Sequence, residues 1–161
     1  MIVDLLTTLG TGTPAHRQLA CKVVSDLYAK LESVIKQPAD APKNATLYFS
    51  HENLLSKVMS FFDLFNHFPP YDYSPEQKLC LPKDRQWRSS LAVPFGTNFA
   101  AVLYRCGPDN STVHPKHKLL TLLNEIPVKI RGCNSELCDV EHFFKEYEPA
   151  TKTCDLDAIC K

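Results

Sequence analysis

Glycine is scarce in this chain, five residues in 161, and neither sign of charge dominates, 18 lysines and arginines facing 18 aspartates and glutamates. Each shortage excludes something. With zero net charge and scattered basic residues, the chain carries no electrostatic footprint for nucleic acid. No apolar run approaches the roughly 18 residues that a membrane span needs. Gly10-Thr11-Gly12 could open a phosphate loop, but the third glycine and a Walker lysine are missing, so the pair reads as a turn. Internal repeats and low-complexity blocks are absent. The first ten residues, MIVDLLTTLG, are short and carry Asp4, which makes them a poor signal peptide.

Cysteine, by contrast, is abundant: Cys21, Cys80, Cys106, Cys133, Cys138, Cys154 and Cys160. Two glycosylation acceptors accompany them, at Asn44 (Asn44-Ala45-Thr46) and Asn110 (Asn110-Ser111-Thr112). Together they point to an oxidising compartment, the endoplasmic reticulum lumen or the extracellular space. Secretory chemistry without a leader suggests a leader lost upstream, and makes Met1 a doubtful start. The odd cysteine count leaves one thiol without an internal partner.

At this length a single domain is expected. Pro14 suits the first turn of a helix, and Ala20, Val23, Val24, Leu27, Leu31 and Val34 then keep a helical period, ending before Pro38 and Pro42. The chain is organised around residues 45–65, ATLYFSHENLLSKVMSFFDLF. Its opening, Ala45 to Phe49, reads as a strand. Leu54, Leu55, Val58, Met59, Phe62 and Phe65 follow at helical spacing, with Ser50 a reasonable N-cap. Residues 66–87 hold Pro69, Pro70, Pro75 and Pro82 among aromatic anchors and read as an ordered surface connection. Leu91 to Arg105 suits two strands broken at Pro94-Phe95-Gly96, and Leu119 to Ile130 suits a hairpin turning at Asn124-Glu125. Asp139 is placed to cap a short helix, Asp139 to Glu148, with Val140, Phe143, Phe144 and Tyr147 on one side. Helices mixed with about five strands make an α/β or α+β layer structure.

A strand that ends in a polar turn and feeds a helix sets that turn at the carboxyl edge of a sheet. There the helix's first free N–H groups and its dipole favour an anion. His51 and Glu52 stand at that place, a donor beside an acid; the plainer reading is that they only begin a helix. Cys133, Cys138, His142, Cys154 and Cys160 could be drawn as a zinc site, but their spacing is off the usual pattern and the context looks secreted. Disulfides are the favoured reading, with Cys133–Cys138 the safest bridge, and no metal is expected. Connectivity of the others is open.

YFSHENLL resembles the strand-turn-helix of the histidine acid phosphatases, in which fungal phytases carry Ser/Thr-His-Asp-Asn and animal multiple inositol polyphosphate phosphatases carry Gly-His-Ala-Glu-Thr. SSLAVPFGTNFAAVLYRC resembles the strand pair that follows in that family, and LLTLLNEIPVKIRGCNSELC its hairpin and disulfide loop. Upstream, the Gly-x-Gly turn and the helix near Ala20-Cys21 match the segment before the strand. Order and spacing agree across nearly the whole chain. The resemblance implies an α/β architecture, the carboxyl-terminal part of a histidine-phosphatase-like fold with a mixed sheet flanked by helices. Residues 1–161 would then be a single partial domain, whose partner is the missing amino-terminal half of its own fold.

That family's Arg-His-Gly-x-Arg-x-Pro, whose histidine is the nucleophile, has no counterpart here; Ala15-His16-Arg17 lacks the glycine and second arginine. In related phytases the cysteine matching Cys106 pairs with one in the amino-terminal half. The resemblance implies hydrolysis of phosphomonoesters, most naturally inositol polyphosphates, through a phosphohistidine and without a cofactor. His51 would contact the phosphoryl oxygens and Glu52 would be the proton donor; Asn53 would join His51 in binding substrate. The donor carboxyl must stay protonated until used. The phytase alignment puts the acid at Glu52, whereas the inositol phosphatases put theirs one place later, where Asn53 stands. Without the nucleophile the chain alone is expected to be inactive. The alternative expectation is a secreted, non-catalytic binding or interaction protein derived from such a phosphatase.

Overall fold

The computed structural model of the chain describes residues 17–38, 41–42, 45–64, 92–107 and 116–159. Asn44, Asn110, Pro14 and Phe65, with the connection 66–87, lie outside them, as do Cys80 and Cys160.

Helix α1, Cys21–Ile35, follows from its apolar spacing: Cys21, Val24 and Leu31 are buried, while Val34 at the far end is 40% exposed. Helix α2, Glu52–Phe61, buries Val58, Met59 and Phe61, and Phe62 just past its end is 1% exposed. Its terminus is a Schellman turn: Leu64 N–H donates to Met59 O at 2.9 Å and Asp63 N–H to Ser60 O at 3.2 Å. Asp63, at φ 64°, takes the left-handed position usually given to glycine, and its carboxylate meets Arg17 at 3.1 Å.

Four strands form one sheet: β1 Phe99–Cys106, β2 Lys116–Leu123, β3 Ile126–Pro127 and β4 Leu137–Asp139. β2 is the centre, pairing with β1 on one side and with β3 and β4 on the other, and every pairing is antiparallel. The hairpin turns where expected, at Asn124 (φ 49°) and Glu125 (φ 66°), both left-handed as a two-residue turn of the primed type requires. Helix α3, Val140–Lys152, packs its Phe143 and Tyr147, both fully buried, onto the sheet face that carries Leu119, Thr121 and Leu123. α1 and α2 complete that layer. A four-residue helix, α4 (Leu156–Ile159), ends the described chain.

Aromatic rings tie the layers together. Phe62 stacks on Phe99 of β1 at 5.2 Å and meets Tyr147 edge-on at the same separation. Arg131 N–H donates to Phe62 O, so the segment after the hairpin closes over the end of α2.

Four expectations need correction. Residues 45–50 form no strand; they are exposed, with no ladder partner among the described residues to complete one. Ahead of β1 there is no second strand among the described residues: Ala92 is helical, and residues 94–97 make a turn with Thr97 N–H on Pro94 O at 3.0 Å and Gly96 at φ 77°. α3 runs past Glu148 to Lys152 with Pro149 inside it, and Thr153 N–H still closes on Pro149 O. Asp139 does sit at the N-cap of α3, but its side chain caps nothing; its carboxylate accepts Lys118 Nζ from the neighbouring strand at 2.7 Å.

Candidate functional site at the start of helix α2

His51 is the N-cap of α2, in an extended conformation (φ −95°, ψ 161°), and Glu52 and Asn53 are the first two helical residues. Ser50, expected as the cap, lies one place too early. The His51 carbonyl accepts Leu54 N–H at 3.1 Å and Leu55 N–H at 3.4 Å, whereas its imidazole caps nothing. The N–H groups of Glu52 and Asn53 therefore open the helix without an intrahelical acceptor. All three side chains are exposed. A donor, an acid and an amide thus surround the positive end of a ten-residue helix dipole, an arrangement that can hold an oxyanion and offer it a proton.

Three residues before this turn, Tyr48 makes contact with α1. Tyr48 Oη donates to the Asp26 carboxylate, which also binds Lys30 one turn further along α1. Lys30 Nζ is 3.1 Å from Tyr48 Oη and lies over its ring, 5.2 Å from the centroid. The Lys30 hydrogen bond, then that of Tyr48, holds the Asp26 carboxyl below its ordinary range; the same pairing with Asp26 raises Lys30. Asp26 and Lys30 are visible in the sequence as an i,i+4 pair. Nothing in the sequence couples them to Tyr48. On either side of Tyr48, Leu47 and Phe49 are 76% and 91% exposed.

Four of the five described cysteines form crosslinks. Cys133–Cys138 is bonded, closing the loop between β3 and β4, and a second bridge joins Cys21 at the start of α1 to Cys154 beyond α3. This second pairing was not deducible from spacing. Three sulfurs of the conceivable zinc set are thus consumed in disulfides, and no group of three metal-ligating side chains gathers among the described residues. Cys106, at the end of β1, is free and exposed. His117 faces Arg105 across the β1–β2 ladder; burial first, and the guanidinium second, push its imidazole below the usual value. No described helix is long and apolar enough to cross a membrane.

The model of the histidine phosphatase superfamily (branch 2) matches residues 4–120. Among curated proteins, the chain is 23% identical to multiple inositol polyphosphate phosphatase 1 of Homo sapiens over 94% of its own length and 31% of that protein's. Identity to the protein of the same name from Drosophila melanogaster is 26%, over 86% of this chain and 27% of that one. With the one from Dictyostelium discoideum it is 29%, over 71% and 17%. The chain thus spans less than a third of the length of these relatives. No solved structure matches it. With the family match covering most of its length, the chain belongs to branch 2 of the histidine phosphatase superfamily.

Proposed function

We propose that this chain supplies the phosphate-contact and proton-donor side of a phosphomonoester hydrolase whose substrates are inositol polyphosphates. The observation that carries the reading is the exposed His51-Glu52-Asn53 turn at an uncapped helix N-terminus, in a chain of this family. His51 donates to the phosphoryl oxygens, joined by the first N–H groups of α2 and by Asn53. Glu52 protonates the leaving alkoxide, a poor leaving group near neutral pH; such an acid is worth roughly 10²–10⁴-fold. The relatives' names support the substrate class, since each is a multiple inositol polyphosphate phosphatase.

The nucleophilic histidine and its arginines are not among these 161 residues. The chain corresponds to the carboxyl-terminal portion of such an enzyme, a partial domain that turns over no substrate alone. The two disulfides among the described residues fit a place in the secretory pathway. The missing nucleophile also favours a second reading, a secreted protein that binds phosphorylated ligands without hydrolysing them.

Titration with inositol hexakisphosphate, followed by NMR, tests the shared part of both readings. The shifts should centre on the His51 ring and the amides of Glu52 and Asn53, and His51→Ala should abolish them. Shifts centred elsewhere would refute the site.

A further inference from the structure

Lysines of the described helices and their caps keep acidic company, with one exception. Lys30 pairs with Asp26, Lys36 with Glu32 and Lys152 with Glu148, each across one helical turn. Lys22 and Lys145 also have a carboxylate four residues away, Asp26 and Glu141. Lys57 is the one cation of α2, and it has none: three and four residues to either side stand Leu54, Asn53, Ser60 and Phe61. No ion pair among the described residues includes it, yet it is half-buried where Lys22, Lys36, Lys145 and Lys152 are exposed. Pairs across one turn are how a lysine stabilises a helix surface, so helix stability does not account for this one. Its position does. Residues four apart share a helix face, and helical side chains lean toward the amino terminus. That geometry sets the Lys57 stem back over Asn53, a residue of the candidate phosphate turn, and carries the ammonium along the flank of the first turn.

We infer that Lys57 holds a second phosphate of the inositol ring, beside the one received at the start of α2, and so biases the site toward substrates with neighbouring phosphates over simple monoesters. The inference rests on the function proposed above and deepens it, from a site for one phosphate to a site that recognises a polyphosphate. The helix start offers N–H groups and the His51 ring to the first phosphate. A neighbouring phosphate on the same ring is a second anion a short, fixed step away, and an ammonium on a flexible stem meets it as a point charge. Lys57 has no carboxylate to give up when it does so, whereas Lys30 would have to leave Asp26.

Two probes test it: inositol hexakisphosphate, and phenyl phosphate, which carries a single phosphate. Each is titrated into this chain and into its Lys57→Met, Lys57→Arg and Lys145→Met variants, with affinities read from the NMR shifts of the His51 ring and the Glu52 amide. Lys57→Met keeps the stem and removes the charge. It should weaken hexakisphosphate binding at least about tenfold, the loss of one charge-assisted contact, and leave phenyl phosphate binding unchanged. Lys57→Arg should retain the preference, and Lys145→Met, which removes the same charge from an exposed position on α3, should alter neither affinity. In the unsubstituted chain, the signals of the Lys57 methylene beside its ammonium should shift with hexakisphosphate and not with phenyl phosphate, a readout that needs no variant to fold. Equal weakening of both probes by Lys57→Met, weakening of neither, the same loss with Lys57→Arg, or a matching loss with Lys145→Met would overturn the inference and leave the His51 site standing. If neither probe moves His51 or Glu52 in the unsubstituted chain, the proposed phosphate site itself fails.

Discussion

The hydroxyl of Tyr147, buried in α3, donates to the main-chain carbonyl of Arg131 at 2.8 Å, joining the helix to the segment that leads into the Cys133–Cys138 loop. Burial drives the phenol's pKa well above its ordinary value, so it remains a donor at all working pH. Its ring packs against Phe61, Phe62 and Phe143. Tyr147→Phe keeps that packing and orphans the carbonyl, so it should cost about 1–3 kcal/mol. Urea denaturation reads this as a lowered midpoint with an unchanged slope.

Gly132 and Gly96 are both left-handed, at φ 81° and 77°, yet they differ in surroundings. A Cβ on Gly132 would lie 2.7 Å from Cβ and Cγ of Glu146, the residue that accepts Arg131 Nε, also at 2.7 Å. A Cβ on Gly96 meets nothing within 4 Å. Gly96→Ala should therefore cost only backbone strain, about 1–2 kcal/mol. Gly132→Ala should cost more, because Glu146 must also move, and thermal melts of the two variants should keep that order.

The hairpin offers the opposite sign. Glu125 is exposed and left-handed, a position that glycine fills without strain, so Glu125→Gly should stabilise by up to about 1 kcal/mol. Its neighbour Asn124 should not tolerate the same change. Asn124 Oδ1 accepts both the Thr97 hydroxyl and, at 3.2 Å, Asn98 N–H, holding the turn to the approach to β1. Asn124→Gly should lower the melting temperature.

The hairpin was legible in the sequence because its turn chemistry is local. The helices were legible for a similar reason: Leu54, Leu55, Val58, Met59 and Phe62 share a face whatever covers it. Residues 45–49 were not, since a β-branched and aromatic run becomes a strand only beside another strand. Asp139 shows how a tertiary partner overrides a local rule, its carboxylate going to Lys118 in place of the helix N–H groups. Cys21–Cys154 joins residues 133 apart, a distance no spacing rule covers. At the candidate site, His51 and Glu52 were legible as the polar turn that opens a helix, and the resemblance assigned their roles. The Tyr48–Asp26–Lys30 contact, three residues ahead of that turn, needed the fold.

The Lys118–Asp139 pair sets a pH dependence. The hydrogen bond from Lys118 is the main cause that lowers the Asp139 carboxyl below its ordinary 3.8. A carboxylate depressed on folding contributes stability that is whole above its unfolded value and lost as pH falls through the folded one. Melting temperatures of the parent and of Asp139→Asn should therefore differ near neutral pH and converge as pH falls below the ordinary carboxylate range, by the same linkage. A constant gap across that range would contradict the assignment.

The role proposed for Glu52 is protonation of the leaving alkoxide. The most direct measurement is hydrolysis of phytate and p-nitrophenyl phosphate, first by this chain alone and then by any complex it forms with the separately expressed remainder of the human relative. The chain alone should match its Glu52→Gln variant at background. The complex should turn over phytate and lose roughly 10²–10⁴-fold with Glu52→Gln, the range expected for a positioned acid. Hydrolysis by the isolated chain clearly above that control, or a complex indifferent to Glu52→Gln, would contradict the account.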